Sequence, residues 1–430
     1  MRTMISRGKR NSILIPILGI CIYRILLDVV YINAINPIFG YSGFNATHNP
    51  SKYVFSWLIL IFFIPMILNM YKRKSLSSII IILLSFLSYI PFTCMVAFYS
   101  YSTGFIISNI LYWLAIFGFF RIIPRIKLVR IKNDKLTQLI LSIIIMVFFA
   151  VVFYISWRYT GFRVSINLLN VYDLRDEAIT FKLPTILSYI YSASKAVNPV
   201  LIVYFLSRKK YYLAGSIIFI QLLSFSINGS KTVFFTTVLA VLLYWLYNDR
   251  QKNKIPWILS IIVFFGMIEL YITKSFLIIS FLVRRVFFVP NLLNYYYYDF
   301  FSMNTPDYFR QSFLRHFGLD SPYIPIDNLI AAIYFNRPDM GANNGLLSDA
   351  VSNFGALGIL IMPLIIVITF KIFDACTEGL DIKIYIISGI TLTFIFISSF
   401  FFTILLTHGF IALCLILYLL PRKSEEHLHN

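Results

Sequence analysis

Arginine is the residue type in this sequence whose placement most calls for a chemical explanation. A planar guanidinium binds two phosphate oxygens at once and keeps its proton at physiological pH. Two polar segments, 157–185 and 277–353, carry Arg158, Arg163, Arg175, Arg284, Arg285, Arg310, Arg315 and Arg337. A single arginine more commonly anchors a lipid headgroup or pairs with a carboxylate such as Asp299, Asp307 or Asp320. For the group as a whole, we favour phosphate binding.

An aromatic tract follows the arginine pair 284–285. Tyr296, Tyr297 and Tyr298 lie within it, and Asp299 is embedded among the rings. Flat aromatic faces stack on the apolar faces of sugar rings, while hydroxyl and carboxyl groups bind sugar hydroxyls. The tract is therefore a candidate sugar-binding surface. Aromatic residues are also typical of the membrane–water interface, which is the commoner reason for such a run.

Three side chains of the same segment are candidates for a general base that takes the proton of a sugar hydroxyl. They are Asp299, Asp349 and His316. The positive charge of the neighbouring Arg315 favours the neutral form of His316, which is the form that a base requires. A loop aspartate is usually only solvated, and a single histidine usually lies at the surface or caps a helix. The sequence therefore leaves the choice of base open.

Metal and nucleotide motifs are absent from the sequence. It contains no D-x-D pair, no H-E-x-x-H, no P-loop and no G-x-G-x-x-G. The four cysteines lie in or beside apolar runs without metal-ligand spacing: Cys21, Cys94, Cys376 and Cys414. We therefore expect no metal and no cofactor. Arginines would instead stabilise a diphosphate leaving group, because they supply positive charge where negative charge develops.

The composition indicates the medium that must hold these residues in place. Hydrophobic residues make up 59% of the 430, charged residues only 13%, and the mean hydropathy is +0.80. A soluble domain of this composition would expose very large apolar surfaces, so the bilayer is the solvent. Backbone amides in lipid must form hydrogen bonds within their own helix, which predicts an all-α polytopic membrane protein.

Apolar runs of transmembrane length predict about twelve spans. We place them at about 13–35, 54–70, 77–99, 104–120, 137–156, 186–206, 212–227, 232–247, 255–276, 354–373, 383–401 and 404–420. The first run lacks a small-x-small cleavage site and is expected to be retained as a helix. Within it, Arg24 and Asp28 stand one turn apart and can neutralise each other.

The net charge of +19 is explained by topology better than by nucleic acid. Basic clusters fall at alternate connections, which assigns those connections and both termini to the cytoplasmic side. The segment 277–353 then becomes a large extracytoplasmic loop between the ninth and tenth spans. Its aromatic residues suggest that it lies partly in the membrane interface. No repeat or linker divides the chain, so residues 1–430 are predicted to form one polytopic domain.

Three stretches of the sequence carry a resemblance to a known family. They are 285–290 with the following 295–302, then 307–315, and then 344–350 with 353–355 and Gly358. On these stretches and on its hydropathy outline, the chain resembles the Wzy-type O-antigen and capsular oligosaccharide repeat-unit polymerases. The resemblance implies a GT-C-like bundle in a bacterial inner membrane. It also implies membrane lipids and a chain-length regulator as partners.

The resemblance further implies a metal-independent glycosyltransferase. A hydroxyl of an incoming undecaprenyl-diphosphate-linked repeat unit would attack the anomeric carbon of the growing lipid-linked chain, and undecaprenyl diphosphate would leave. The residues that would hold the diphosphate are Arg284, Arg285, Arg310 and Arg315, together with the outer arginines Arg158 and Arg163. Asp299 or His316 would assist the nucleophile. The stretch from Asn344 to Gly358 would shape the return of the chain into the tenth span, since glycine allows tight turns and close approach.

Two other functions stay open at this point. A lipid-linked oligosaccharide flippase would show short loops, two pseudo-repeated halves and a charged central cavity, whereas this sequence has one long outer segment and few midplane charges. An O-antigen ligase also needs an outward-facing diphosphate site, so the sequence separates it poorly from a polymerase.

Overall fold

The structure is a computed structural model that describes residues 2–131, 133–165, 167, 171–312 and 314–422. Side chains are described from residue 14 onward, apart from those of residues 249–251 and 316. Within these ranges all regular structure is helical and no strand is found. Nine helices of the described chain are long and apolar enough to cross a membrane. The prediction of an all-α polytopic membrane protein is confirmed.

The principal helices are numbered here in chain order. They are α1 Leu14–Ser42, α2 Pro50–Tyr71, α3 Leu76–Phe98, α4 Thr103–Ile122, α5 Asp134–Thr160, α6 Val171–Ile179, α7 Thr185–Ser207, α8 Tyr211–Asn228, α9 Lys231–Leu246, α10 Lys252–Thr273, α11 Val289–Met303, α12 Ile326–Phe335, α13 Leu347–Thr377, α14 Ile382–Ser398, α15 Phe401–Leu405 and α16 Phe410–Leu419. The helix that contains α1 begins at Arg2.

Each of the twelve predicted spans overlaps one of these helices. Nine of them overlap helices of full spanning length among the described residues. The predicted spans at 232–247, 383–401 and 404–420 overlap shorter apolar helices of 16, 17 and 10 residues. A straight helix needs about 20 residues to cross the hydrocarbon core. The count of twelve and the GT-C-like arrangement therefore stay predictions.

The described residues fall into two compact units, each assembled from separate stretches of chain. The first unit draws on Met1–Pro124, Asn248–Thr369 and Thr393–Phe401. The second draws on Arg125–Tyr247, Phe370–Leu392 and Phe402–Asn430. The single domain 1–430 expected from the sequence stays a prediction.

A buried ion pair ties three helices of the first unit together. Arg24 of α1 is fully buried and pairs with Asp28 one turn later, as predicted. Its guanidinium also donates to Ser56 Oγ of α2 at 2.9 Å and to the Thr93 carbonyl of α3 at 3.0 Å. The hydrogen bonds of this guanidinium to the described residues stay inside the unit, which assigns the pair a structural role.

The segment 277–353, expected to be a loop, is for the most part helical. A π-helix, Ile279–Phe288, continues directly into α11, and α12 and the start of α13 follow. The segment also buries much of its surface, because Phe288, Asn291 and Tyr297 are fully enclosed. Its aromatic residues therefore serve partly as core of the first unit, a role that composition alone does not distinguish from an interfacial belt.

The second unit has an apolar core between α5, α7 and α8. Val152 and Ile155 pack with Tyr191 and Ile220 in this core. The Tyr191 hydroxyl donates to the Ser224 carbonyl at 2.8 Å, which satisfies its buried polar end.

Candidate functional site

The helical run that carries the arginine pair begins at a carboxylate supplied by the preceding span. Glu269, near the end of α10, accepts hydrogen bonds from the backbone amides of Leu277 at 2.9 Å and Ile278 at 2.8 Å, and from Ser275 Oγ at 2.8 Å. The first amides of a helix lack partners within the helix, and a carboxylate there also favours the helix dipole. Glu269 thus fixes the start of the run that ends at Met303.

Arg284 and Arg285 lie on the π-helix Ile279–Phe288, and neither has a carboxylate partner among the described residues. Arg284 is half-buried, with its guanidinium carbon 4.4 Å from the ring centre of Phe39. Its Nε is buried without a hydrogen-bond partner, and burial lowers the pKa of this guanidinium. Arg285 is exposed. Within the described part of the chain neither forms an ion pair. Two positive charges that are adjacent in sequence therefore remain available to a ligand.

Other arginines of the two polar segments have local partners. Arg163 pairs with Glu177 at 2.6 Å. Arg337 pairs with Asp339 at 3.3 Å, and this hydrogen-bonded arginine lowers the pKa of Asp339. Exposed pairs of this kind contribute little to stability, yet each occupies the fork that phosphate would use. Carboxylate pairing therefore explains some of these arginines. It does not explain the 284–285 pair.

Arg310 lies within a turn that follows α11. Its Nε donates to the Asp307 carbonyl at 2.8 Å and its Nη2 to the Pro306 carbonyl at 3.1 Å. Buried Asp307 accepts from Ser321 Oγ at 2.5 Å and from the Gln311 amide at 2.9 Å. The stretch 307–315 therefore folds the connection between α11 and α12, and Arg310 is part of that scaffold.

Asp299 lies among tyrosines near the end of α11. It is half-buried, and the Tyr334 hydroxyl donates to its Oδ2 at 2.6 Å. The Tyr334 ring stacks on Tyr296 with centres 4.3 Å apart and an angle of 8°. Burial, together with the nearby Asp299 carboxylate, raises the pKa of Tyr99, Tyr295 and Tyr334, which keeps these hydroxyls protonated as donors.

The three predicted sugar-binding tyrosines differ in the surface that they offer. Tyr297 is fully buried, and its hydroxyl donates to the Ala342 carbonyl at 3.1 Å. Tyr296 is 8% exposed, since Tyr334 covers its ring. Tyr298 is half-buried against Phe105, 5.5 Å between ring centres. A sugar reaching this cluster would therefore meet Tyr298, Asp299 and Tyr334 before the other rings.

The remaining predicted site residues are Arg158, Arg163, Arg315 and His316. Arg158 and Arg163 belong to the second unit; both are exposed, and Arg158 packs on the Tyr159 ring at 5.7 Å. Arg315 is exposed in the first unit. The side chain of His316 lies outside the described residues, so its role as a base stays a prediction.

Asp349 is enclosed at the start of α13. Its Oδ2 accepts from the Phe401 amide at 2.6 Å, and its Oδ1 accepts from Asn353 Nδ2 at 2.7 Å. It is 2% exposed. A general base must reach the proton that it takes. The enclosed Asp349 carboxylate instead links α13 to the start of α15 through its hydrogen bonds, which favours a structural role.

No family model, curated protein or solved structure in the comparisons matches this chain. The resemblance to Wzy-type polymerases thus depends on the residues named above. In the part of the chain that the structure describes, no group of three or more His, Cys, Asp and Glu side chains is placed to hold a metal ion.

The last stretch of the resemblance builds a close helix contact. Asn294 Oδ1 accepts from Asn344 Nδ2 at 3.0 Å and from Ser348 Oγ at 2.9 Å, all buried. A Cβ at Gly345 would meet the Phe396 carbonyl oxygen at 2.2 Å, and one at Gly358 would meet the Ala350 oxygen at 2.0 Å. The prediction that these glycines allow close approach of the returning chain is confirmed.

The arginine pair and Asp299 lie too far apart to contact the same phosphate group. Both lie on the helical run that continues from the π-helix into α11, with Asp299 fourteen residues after Arg285. At a rise of about 1.5 Å per residue, this places them roughly 20 Å apart along the run. One diphosphate cannot touch both, although an oligosaccharide attached to that diphosphate spans such a distance.

One intramembrane charge was missed by the sequence analysis. Lys195 of α7 lies in a predicted span, with its ammonium 3.7 Å from the ring centre of Tyr191. It forms no ion pair with a described carboxylate, and buried Asn198 nearby on α7 donates to Gln221 of α8 at 3.3 Å. A lone lysine inside an apolar run was the available signal, because such a charge is costly unless it has a partner or a function.

Proposed function

We propose that this chain is a metal-independent glycosyltransferase that joins undecaprenyl-diphosphate-linked oligosaccharide repeat units on the extracytoplasmic face of a bacterial inner membrane. The observation that carries the proposal is the pair Arg284–Arg285, which has no carboxylate partner among the described residues and shares one helical run with the tyrosine-bound Asp299. The pair supplies a diphosphate site, and the Asp299 cluster supplies a sugar site with a base.

The arginine pair suits a diphosphate for two reasons. The Arg284 guanidinium has no carboxylate partner among the described residues and is only half-buried, so its terminal nitrogens can donate to phosphate oxygens. The ring of Phe39 holds the guanidinium in a fixed position, so little side-chain freedom is lost on binding. Arg285 adds a second charge next to the first, which a doubly phosphorylated carrier would neutralise.

The arginine pair and Asp299 are roughly 20 Å apart along the helical run. In this proposal, that separation decides which substrate's diphosphate the pair binds. Arg284 and Arg285 hold the diphosphate of the incoming repeat unit and not the leaving diphosphate expected from the sequence. The terminal sugar of the incoming unit extends toward Asp299. Asp299 takes the proton of the sugar hydroxyl as its oxygen bonds to the anomeric carbon of the growing chain. The bond from that carbon to the diphosphate oxygen breaks, and undecaprenyl diphosphate leaves. His316 is the alternative base.

A flippase is the second candidate, because of Lys195. The intramembrane ammonium of Lys195 has no carboxylate partner among the described residues and lies near the amides of Asn198 and Gln221, and a transport path requires polar groups of this kind. A polymerase needs no such group. An O-antigen ligase is the third candidate, since it would use the same diphosphate chemistry with a different acceptor.

A deletion strain separates the three candidates. Loss of a polymerase leaves single repeat units on the lipid core, loss of a flippase leaves none at the surface, and loss of a ligase leaves long chains on undecaprenyl diphosphate. We expect the first pattern when surface polysaccharide is resolved by electrophoresis, with full-length polymer restored by the wild-type chain. Either of the other two patterns would replace the proposal with the corresponding candidate.

A further inference from the structure

The second unit encloses a cavity of about 650 Å³. It is lined by the first turns of α5, the end of α7, the start of α8 and the end of α16 with the residues that follow it. Most of these residues lie at the ends of predicted spans, and along α5 the lining extends to Ile145, near the middle of its span. Three basic clusters that the sequence assigns separately to the cytoplasmic side contribute Arg130, Arg208 and Arg422 to this one cavity.

The wall of the cavity is strongly positive. Arg130, Arg208, Lys210 and Arg422 line it together with one lining carboxylate, Asp134. Asp134 makes no ion pair with another described residue and offers an acceptor to a hydroxyl or ammonium group of a bound molecule. A ligand with a negatively charged group suits this lining.

Backbone carbonyl groups hold the three guanidinium groups in place. Arg130 donates to the Tyr418 carbonyl at 2.6 Å and to the Glu378 carbonyl at 3.0 Å. Arg422 donates to the Cys376 carbonyl at 2.9 Å, and Arg208 donates to a carbonyl that follows α16 at 3.1 Å. Carbonyls at helix ends favour cations, so these charges are fixed before any ligand arrives.

The lining becomes less polar along α5. It changes from Asp134, Thr137 and Gln138 to Leu141, Ser142 and Ile145. The eleven residue steps from Asp134 to Ile145 correspond to a helix rise of roughly 16 Å. Free inorganic phosphate would leave this apolar depth unfilled. A headgroup at the charged end with hydrocarbon along the apolar wall would fill both parts.

We propose that this cavity binds a membrane phospholipid, with its phosphate at Arg130, Arg208 and Lys210 and its acyl chains along Leu141 and Ile145. Basic pockets between spans on the cytoplasmic side are suited to phosphate headgroups. The site does not depend on the glycosyltransferase proposal, because its residues belong to the second unit and its ligand is a structural lipid.

Native mass spectrometry of the full-length chain released from detergent tests this site. Dioleoyl phosphatidylglycerol, dioleoyl phosphatidylethanolamine and inorganic phosphate are added in separate titrations. We expect retention of one phospholipid per chain and no retention of inorganic phosphate. Lys210→Gln removes one lining charge and should weaken phospholipid binding about fivefold. Ser142→Phe fills the lining without changing charge and should weaken it as much.

Lys209→Gln is the matched control, because Lys209 is exposed in the same connection but does not line the cavity. It should bind phospholipid like the wild type. Equal binding by Lys210→Gln, Ser142→Phe and the wild type would overturn the proposal. Retention of inorganic phosphate that Ser142→Phe leaves unchanged would overturn the lipid assignment in favour of a phosphate-ion site.

Discussion

At the residue scale, ion pairing divides the arginines into two kinds. Arg163 and Arg337 each have a carboxylate within hydrogen-bonding distance, and Arg310 donates to two carbonyls of its own turn. Arg284 and Arg285 have neither kind of partner among the described residues. A guanidinium that already binds a carboxylate gains little from phosphate, whereas one without a partner gains a charge-assisted hydrogen bond. The two kinds should therefore respond differently to substitution.

Arg285→Gln should strongly reduce chain extension while leaving expression unchanged. A hydrogen bond to a charged group contributes about 1.5–3 kcal/mol, which corresponds to a loss of roughly tenfold to a hundredfold. The measurement is polymer length in a complemented deletion strain, normalised to membrane protein. Arg337→Gln is the control, since it removes an exposed, carboxylate-paired arginine of the same segment. Equal loss of polymer in both variants would show a general charge effect instead.

Asp299→Asn should lower the rate of extension by about 10²–10⁴-fold, the range expected for loss of a general base. The amide keeps the size of the side chain and can still contact the Tyr334 hydroxyl. The rate is followed with purified protein and a lipid-linked repeat unit. Asp320→Asn, at an exposed position of the same segment, should keep the wild-type rate. Wild-type turnover in Asp299→Asn would transfer the role to another group, with His316 next in line.

At the scale of elements, close approach between helices limits which residues the return into α13 accepts. Gly358 and Gly345 lie where a Cβ would overlap backbone carbonyl oxygens, and backbone cannot move aside as a flexible side chain does. Buried Asn294 adds hydrogen bonds across the same contact. These features belong to packing, so their loss should reduce stability before it affects chemistry.

Gly358→Ala should lower the thermal midpoint of the purified protein and the yield of folded chain. The added methyl carbon would stand 2.0 Å from the Ala350 oxygen, a contact that requires the backbone to shift. Size-exclusion chromatography after heating in detergent provides the measurement. Gly118→Ala is the control, because no atom lies within 4 Å of a Cβ added there and alanine favours the helix. Identical midpoints for both variants would contradict the packing described here.

At the scale of the whole molecule, charge bias assigns a side of the membrane to each connection. The basic clusters are predicted to lie in cytoplasmic loops, and Arg130, Arg208 and Arg422 meet around one cavity, which is consistent with a common side. The proposed chemistry requires the segment 277–353 to lie on the opposite side. Orientation is therefore the property on which the functional proposal depends most.

Cysteine labelling of intact cells tests this orientation. Arg315→Cys, at an exposed position of the 277–353 segment, should react with a membrane-impermeant maleimide added outside. Lys210→Cys should react only after the inner membrane is permeabilised. The native cysteines are a small background, since three of the four are buried. Protection of Arg315→Cys until permeabilisation would place the arginines in the cytosol and end the polymerase proposal.

The sequence by itself determined the all-α membrane class, the approximate places of the helices and the ion pair Arg24–Asp28. These follow from local physics, because apolar runs must form helices in lipid and residues one turn apart meet on any helix. It also singled out the segment that carries the arginine pair and Asp299. It did not give the helical, partly buried character of that segment.

Only the tertiary structure decided which candidate side chains have partners. Tyr334 reaches Asp299 across 35 residues of sequence, and Arg130 reaches Tyr418 across 288. Tyr297 is buried although its neighbour Tyr298 keeps some surface. Such outcomes depend on contacts between distant segments, and neither composition nor local spacing contains that information. The physical reason is that pairing and burial are properties of the packed chain, whereas hydropathy and helix period are properties of each short stretch.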